Sequence, residues 1–175
     1  GMSLHLDHTI LTLTLNPALD LTGHLAQLQV GLVNLLHSGQ LHPAGKGINV
    51  ARVLKELGAE VLVSGFLGQD NLAPFQLLFQ RGGLQDHFLA VAGATRINVK
   101  MVEESGRVTD LNFPGVMIGE ADLLGLEQRL QELLPRVEYV VVAGSLPRGM
   151  SPLRLQQWLK LLVSQGKRVI FDSSG

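Results

Sequence analysis

Residues 138–172, EYVVVAGSLPRGMSPLRLQQWLKLLVSQGKRVIFD, predict a strand, a helix and a second strand in immediate succession. The run from Glu138 to Ala143 is apolar on both faces, which is typical of a parallel strand covered on each side. Ser151-Pro152 predicts a helix start and Gly166 the helix end, before a strand at 169–172. Since such units cross over with a right-handed connection, this segment predicts an α/β fold with a mostly parallel sheet.

The preceding residues repeat this rhythm of strands and helices. Apolar spacing predicts strands at 10–15, 61–66 and 87–91, and helices at 48–58, 71–81 and about 123–134. In the helix at 48–58 the predicted buried residues are Val50, Val53, Leu54 and Leu57, and the predicted polar face carries Asn49, Arg52 and Glu56.

Two β-rich segments interrupt the α/β pattern, at 21–43 and 95–114. In the second, Ile97, Val99 and Met101 alternate with Arg96, Asn98 and Lys100, and Glu104-Ser105-Gly106 predicts the turn of a hairpin. We therefore expect an α/β core from residues 4–20, 44–94 and 115–175, with a small β lid from 21–43 and 95–114. Gly1 before Met2 is typical of a tag remnant, so residues 1–3 are assigned to neither part.

Composition excludes several classes of function. The chain has 175 residues, of which 46% are hydrophobic, and its 14 Lys+Arg nearly balance its 15 Asp+Glu, with no basic run that indicates nucleic acid. The absence of cysteine excludes disulfides and thiolate zinc sites. Without a signal peptide or an apolar run of ~20 residues, we expect a cytoplasmic protein that does not enter a membrane.

A glycine-containing loop, Ala44-Gly45-Lys46-Gly47, stands directly before the helix at 48–58. Glycines allow close approach of the backbone, a helix N-terminus offers N–H groups to an anion, and Lys46 adds a charge. The spacing is neither that of a P-loop nor that of a dinucleotide fingerprint, which counts against a dinucleotide-dependent oxidoreductase. A tight loop entering a helix is the alternative interpretation.

Other candidate ligand groups lie beyond the ends of strands, in the first turn of the helix at 48–58 and along the strand that carries Arg96. Asp20 and Asn49 could bind sugar hydroxyls, although a turn residue and a solvent-facing amide are the plainer interpretations. Strand alternation places the two cations and the amide of Arg96, Asn98 and Lys100 on one face, which suits a phosphate but also an ordinary solvated surface. Ser145 follows the buried strand, at a usual ligand position. The six histidines show no metal-ligand spacing, and we assign them no metal.

Six short sequences occur in the order typical of one enzyme family. They are TLTLNPALD at 12–20, AGKGINVA at 44–51, GFLG at 65–68, TRINVK at 95–100, GSLP at 144–147 and DSSG at 172–175. As a set they resemble the ribokinase-like (PfkB-type) carbohydrate kinases. The resemblance implies a three-layer α/β core with a mostly parallel sheet and a β-sheet lid, and it implies that the C-terminal part of the fold is missing from this chain.

The resemblance also implies a reaction, the ATP-dependent phosphorylation of fructose 1-phosphate to fructose 1,6-bisphosphate, with tagatose 6-phosphate as the alternative substrate. Asp20, Gly45, Lys46 and Asn49 would hold the sugar, Arg96 would reach its phosphate from the lid, and Ser145 would lie nearby. Geometry alone adds Asn98 and Lys100 to this site.

The same resemblance limits what the chain does by itself. The catalytic base and the main ATP and Mg²⁺ sites are expected beyond residue 175, so we expect no turnover from this chain alone. A homodimer through the lid is also implied. A non-catalytic sugar-phosphate-binding fragment is the alternative of another class.

Overall fold

A computed structural model of the chain describes residues 8–37 and 39–172. The expected tag remnant at 1–3 and the last three residues of the DSSG sequence lie outside the described residues. Within them the chain forms ten strands, which are β1 Thr9–Thr14, β2 Ala18–Leu25, β3 Leu41–Ala44, β4 Glu60–Gly68, β5 Gln85–Asp86, β6 Leu89–Val91, β7 Arg96–Glu103, β8 Val108–Phe113, β9 Tyr139–Ala143 and β10 Arg168–Asp172. The α-helices are α1 Lys46–Glu56, α2 Ala73–Gly82, α3 Glu120–Leu133 and α4 Pro152–Ser164.

The larger sheet is parallel, as the sequence predicts. Its order is β10-β9-β1-β4-β5, and β6 pairs with the carboxyl end of β4. Because β1 lies in the middle of this order, its neighbours β4 and β9 cover both of its edges. The ligand groups that follow β1 therefore start from a well-supported strand.

Helices cover both faces of this sheet, which confirms the three-layer core. On one face, Leu11 and Leu13 of β1 pack with buried residues of α3 and α4, among them Leu126 and Trp158. On the other face, Ile10 joins a cluster with residues of α1 and α2. The predicted buried stripes of α3 and α4 are confirmed at their main positions, Leu123, Leu126, Leu130, Leu133, Leu155, Trp158 and Leu162.

The predicted buried face of α1 is wrong for two of its residues. Val53 is 55% exposed and Leu57 38%, while Gly47, Ile48 and Ala51 are the buried residues of the helix. The first turn of the helix lies close to β1 at Gly47, where a larger side chain would meet Thr14, and Ile48 and Ala51 are turned into the core beside it. The predicted polar face, with Asn49, is exposed as expected.

The smaller sheet has the order β3-β2-β7-β8. Strands β2 and β7 are parallel, with Ala18 opposite Arg96 and Asp20 opposite Asn98, whereas β7 and β8 form the predicted antiparallel hairpin. Strand β2 begins at Ala18, before the expected boundary at residue 21, so Asp20 lies within a strand of this sheet. The division of the chain into core and lid domains stays a prediction.

No helix in the described part of the chain has the length and apolar character needed to span a bilayer.

Candidate functional site

The two sheets meet at Asn16 and Pro17, the residues that connect β1 to β2. The half-buried side chain of Asn16 donates through Nδ2 to Oγ of Ser145, at 3.0 Å, and to the carbonyl of Leu146, at 3.3 Å. Ser145 and Leu146 belong to the loop that follows β9. The connection after the central strand is therefore tied to the loop after its neighbour, at the carboxyl edge where parallel sheets bind ligands.

Arg96 lies at the foot of the smaller sheet, beside this connection. Its Nη2 donates to the carbonyl of Asn16 at 2.9 Å, and its Nε donates to the carbonyl of Pro17 at 3.3 Å. Burial lowers the pKa of Arg96 from its ordinary value, and the nearby carboxylate of Asp20 opposes that change. The guanidinium is thus held by fixed backbone acceptors, with its remaining N–H groups able to donate to an anion.

Asp20 and Asn98 form a side-chain pair on the same face of this sheet. Asn98 Nδ2 donates to Asp20 Oδ1 at 3.3 Å, and both residues are half-buried. Because carboxylate oxygens accept several hydrogen bonds, Asp20 keeps further acceptor capacity for hydroxyl groups. Alternation predicts that Arg96 and Asn98 share a face, and the pairing of β2 with β7 adds the carboxylate of Asp20 to them.

Lys100 shares this face but lies further from the core. It stands opposite Thr22 in the register, and its Nζ lies 3.7 Å from Oδ1 of Asp110 on β8. Half of each of these two side chains is exposed. The structure thus directs Lys100 to a cross-strand ion pair, away from the foot of the sheet where Arg96 lies.

Only Gly45 of the predicted loop at 44–47 lies between strand and helix, because α1 begins at Lys46, two residues before the predicted start. Gly45 is the residue before the helix, with φ 146° and ψ 140°, a conformation that L side chains rarely adopt. The first helical hydrogen bond runs from Asn49 N to Gly45 O at 3.0 Å, so the N–H groups of Gly47 and Ile48 lie outside the helical ladder. Such groups attract an anion at a helix N-terminus.

Gly47 is required here by its contact with Thr14, the last residue of β1. A Cβ atom at Gly47 would lie 2.1 Å from Oγ1 of Thr14. Thr14 is 2% exposed, and its hydroxyl has no hydrogen-bond partner in the described part of the chain. The small residue lets the start of α1 rest directly on the end of the central strand.

Lys46 points to the end of β10, where its Nζ lies 3.1 Å from Oδ2 of Asp172. The carbonyl of Asp172 accepts a hydrogen bond from Gly144 N at 3.0 Å, which joins this pair to the loop that carries Ser145. Asn49 is on the exposed face of α1. Lys46 and Asp172 thus lie beside the loop that carries Ser145, whereas Lys100 lies further along β7.

Sequence reasoning missed the part that Asn16 plays. It treated Asn16-Pro17 as the end of a strand, although an amide directly after a buried strand is itself a signal of a ligand or loop contact. It also did not predict that Thr14 would support α1 or that Asp172 would pair with Lys46. In the described ranges, 8–37 and 39–172, no three His, Cys, Asp or Glu side chains come close enough to hold a metal ion.

A parallel α/β core that carries its polar residues at the junction with a second sheet is the architecture of a sugar kinase of the ribokinase type. The sequence profile of the pfkB family carbohydrate kinases matches residues 13–175. The chain belongs to the pfkB family of carbohydrate kinases.

Similar proteins carry phosphofructokinase names. Over 165 residues the chain is 56% identical to a 1-phosphofructokinase of Vibrio cholerae, with 94% of this chain and 52% of that protein aligned. It is 48% identical to a 1-phosphofructokinase of Escherichia coli K12, with 94% and 53% aligned. The chain therefore spans about half the length of the curated relatives it matches.

Solved structures share the fold. A crystal structure of phosphofructokinase-2 from Escherichia coli with fructose-6-phosphate superposes with a TM-score of 0.81 at 29% identity, covering 96% of this chain and 55% of that one. A possible 1-phosphofructokinase from Thermotoga maritima gives a TM-score of 0.81 at 29% identity, covering 95% and 54%. A tetrameric inhibited form of the Escherichia coli phosphofructokinase-2 gives a TM-score of 0.80 at 28% identity, covering 96% and 55%.

Proposed function

We propose that this chain is the sugar-phosphate-binding half of a kinase that transfers the γ-phosphoryl group of ATP to fructose 1-phosphate, giving fructose 1,6-bisphosphate. The observation that carries the proposal is the position of Arg96. Two backbone carbonyls hold its guanidinium beside the Asp20–Asn98 pair. A fixed cation next to a carboxylate suits a ligand that carries both a phosphate and hydroxyl groups.

In this proposal the residues of the chain bind and orient the sugar phosphate. Arg96 donates to the phosphate through its remaining N–H groups, while the carboxylate of Asp20 and the amide of Asn98 fix hydroxyl groups. Gly45, Lys46 and Asn49 contribute backbone groups, a charge and an amide from the start of α1, and Ser145 contributes a hydroxyl. Positioning of this kind supplies much of the catalysis in phosphoryl transfer.

ATP and Mg²⁺ belong to the proposed reaction. We propose that the nucleotide, the metal and the catalytic base are held mainly by the part of the protein that corresponds to the other half of the relatives. Because both substrates are anions of the cell interior, we propose a cytoplasmic location.

Fructose 1-phosphate is proposed over tagatose 6-phosphate because the relatives at 56% and 48% identity are both called 1-phosphofructokinase. The test is a coupled kinase assay with ATP on the protein at its full natural length. We expect kcat/KM for fructose 1-phosphate to exceed that for tagatose 6-phosphate and fructose 6-phosphate more than about tenfold. A higher kcat/KM with tagatose 6-phosphate would contradict the choice of substrate.

The same assay on the 175-residue chain tests the assignment of the catalytic groups. We expect no ATP-dependent product from it. Product formed in a preparation shown to be free of contaminating kinases would place the base within this chain and contradict the proposal. Binding of fructose 1-phosphate without turnover by the full-length protein would favour the non-catalytic alternative.

We further propose that a second copy of the protein packs on the lid. The face of the smaller sheet opposite Arg96 and Asp20 carries Leu111 and Phe113, which are 56% and 63% exposed. The loop between β2 and β3 adds Val30 and Val33, which are 93% and 89% exposed. Exposed apolar residues grouped in this way are typical of an interface.

Phe113→Asp tests the proposed dimer. We expect the wild-type protein to sediment as a dimer and the variant as a monomer, because a buried unpaired carboxylate opposes association. Leu153→Asp is the matched control, since Leu153 is also 63% exposed but lies on α4, away from the lid. A monomeric wild-type protein at micromolar concentration would contradict the dimer.

A further inference from the structure

We propose that Asn16 is a positioning residue that sets the direction of the Ser145 hydroxyl proton, so that this hydroxyl donates to the phosphate of the bound sugar phosphate. This inference rests on the proposed function and deepens it. Asn16 makes three hydrogen bonds, two through its side-chain amide and one through its backbone carbonyl.

The first step is the direction of the bond between the two side chains. Asn16 Nδ2 lies 3.0 Å from Ser145 Oγ and 3.3 Å from the carbonyl of Leu146. A carbonyl only accepts, so the group of Asn16 that faces it is the NH₂ group, which fixes the orientation of the amide. The same nitrogen must then donate to Ser145, whose oxygen is the acceptor.

The second step concerns the proton of Ser145. A serine hydroxyl has one proton and two lone pairs, and the amide of Asn16 occupies one lone pair. In the part of the chain that the structure describes, the Ser145 hydroxyl donates to no protein acceptor. Its proton is therefore directed away from Asn16 and remains for a ligand at the carboxyl edge of the sheet.

The third step identifies the chemistry of that ligand. The backbone carbonyl of Asn16 holds Nη2 of Arg96 at 2.9 Å, while its side chain holds Ser145. One residue thus positions a cation and a hydroxyl donor around itself. Two donors, one of them charged, match the oxygens of a phosphate better than they match a neutral hydroxyl.

The position of Asn16 accounts for why the arrangement is rigid. Asn16 follows the central strand β1, whose residues from Ile10 onward are buried, and Ser145 follows the adjacent parallel strand β9. Pairing between β1 and β9 fixes the carboxyl ends of these two strands relative to each other. The hydrogen bond between Asn16 and Ser145 then has to orient only two side chains, because the backbone positions are already fixed. A donor that is supported in this way keeps a precise direction.

The experiment is a double-mutant cycle on the full-length protein, with the dissociation constant of fructose 1-phosphate measured by calorimetry in the absence of ATP. We expect Asn16→Ala to weaken binding about tenfold, the range of one hydrogen bond to a charged group. In a Ser145→Ala background the same substitution should weaken binding less than about twofold, because the donor that Asn16 directs is already gone. An equal loss in both backgrounds would overturn the inference.

Asn16→Asp gives a second, independent reading. A carboxylate cannot donate to Ser145; it accepts a hydrogen bond from the serine hydroxyl, whose proton then no longer faces the ligand, and its charge repels a phosphate. We therefore expect Asn16→Asp to bind fructose 1-phosphate more weakly than Asn16→Ala, and near wild-type binding by Asn16→Asp would overturn the proposal. If Asn16→Ala fails to fold, Asn16→Ser replaces it in the cycle under the same criterion.

Gln165→Ala is the matched control for the loss of an amide donor. Gln165 Nε2 donates to Oε1 of Gln131 at 3.1 Å, also between side chains of distant segments. It follows the end of α4 and precedes β10, so it lies at the opposite edge of the sheet. Binding should be unchanged in this variant. If the wild-type protein prefers tagatose 6-phosphate, the proposed substrate is wrong, and the cycle measured with that sugar decides the inference by the same comparison.

Discussion

The two sheets of this protein differ in how far their strands are covered. In the larger sheet, β4 is buried at every position from Val61 to Gly68. In the smaller sheet, β8 is exposed at all positions except Thr109, which is half-buried. The candidate site lies between them and draws on both, with backbone acceptors from the core and side chains from the smaller sheet.

This difference explains which groups each sheet supplies. A strand covered on both faces has little room for polar side chains, so its contribution to the site comes from the residues just beyond its end, such as Asn16. A sheet with one open face can present Asp20, Asn98 and Arg96 on alternate positions without burying an unpaired charge. The core therefore supplies backbone acceptors to the site, and the smaller sheet supplies its side chains.

Substitution of one glycine in each sheet should give the largest difference, which is a difference in the free energy of unfolding. At Gly65 in β4, with φ 142°, an added Cβ would lie 1.8 Å from the carbonyl oxygen of Thr14. We expect Gly65→Ala to lower the free energy of unfolding by about 3 to 5 kcal/mol, because backbone strain and overpacking act together. The measurement is a urea unfolding curve.

Gly106→Ala in the turn of the β7–β8 hairpin is the counterpart. Gly106 has φ 91° but no atom within 4 Å of an added Cβ, so only the backbone strain of about 1 kcal/mol is expected. A loss at Gly106 as large as that at Gly65 would mean that this hairpin is packed as tightly as the larger sheet.

The cations of the smaller sheet should differ in how much they contribute to sugar-phosphate affinity, according to their distance from the core. Arg96→Ala removes the guanidinium held by the carbonyls of Asn16 and Pro17, and we expect the affinity for fructose 1-phosphate to fall about 100-fold. Lys100→Ala removes a charge that faces Asp110, and we expect a change of less than about threefold. Both dissociation constants are measured by calorimetry on the full-length protein.

Arg96→Lys separates charge from geometry in this comparison. A lysine keeps the charge but lacks the planar fork that reaches two carbonyls and a ligand together, so an intermediate loss of about tenfold is expected. Equal losses from Arg96→Ala and Lys100→Ala would indicate that the whole face, rather than its foot, binds the sugar phosphate.

Removal of buried hydroxyls from the core should raise the free energy of unfolding. This effect is smaller than that of Gly65→Ala and opposite in sign. Thr12 and Thr14 of β1 are 0% and 2% exposed, and neither Oγ1 has a hydrogen-bond partner among the described residues. We expect Thr12→Val and Thr14→Val each to raise the free energy of unfolding by about 1 kcal/mol, since each removes an unsatisfied polar group. Thermal and urea unfolding measure it.

Sugar-phosphate affinity should be unchanged in both variants. Thr12 lies deeper in the strand and serves as the control for Thr14, which supports Gly47 at the start of α1. Weaker binding by Thr14→Val alone would show that its hydroxyl belongs to the site, which would contradict a purely structural position.

The smallest expected effect is a pH dependence at the edge of the core. Burial lowers the pKa of His87 below its ordinary value of 6.5, Arg136 and Arg129 act in the same direction, and Asp86 opposes them. The folded protein thus binds this proton less readily than the unfolded chain. Stability is complete above the ordinary pKa and declines as the pH falls from 6.5 through the lowered value.

His87→Gln should flatten this decline in unfolding experiments between neutral pH and about pH 5. The control is a comparison of the wild type and the variant well above neutral pH. There His87 is neutral in the folded and the unfolded state, so the difference in stability between the two proteins should not change with pH. A decline of equal slope in the variant would assign the pH dependence to other groups.

Much of the fold could be predicted because it depends on local patterns. The leucine spacing of α3, the Ser151-Pro152 start of α4 and the alternation of β7 each depend on neighbours within one element. The predicted buried face of α1 was wrong at Val53 and Leu57, since the close approach of Gly47 to Thr14 depends on β1, a distant strand. The start of β2 at Ala18 also could not be predicted from local patterns, because it is set by the pairing of β2 with β7.

The candidate site was predictable as a set of residue types but not as a network. Alternation alone indicates that Arg96 and Asn98 share a face, and the helix start indicates an anion site at Gly45 and Lys46. The acceptors that hold Arg96 are carbonyl groups, which every residue has, so no sequence signal distinguishes them. The contact between Asn16 and Ser145 joins residues 129 positions apart and has no local pattern at all.

The sequence by itself determined most of the strands and helices and the residue types available for a phosphate, because these depend on short-range periodicity, and its six short sequences indicated the family by resemblance. Only the tertiary structure decided which of those residues meet. The strand order β9-β1-β4 and the parallel pairing of β2 with β7 bring Asn16, Arg96 and Ser145 together. Such pairing is a long-range consequence of burying the whole core at once, and no single segment carries it.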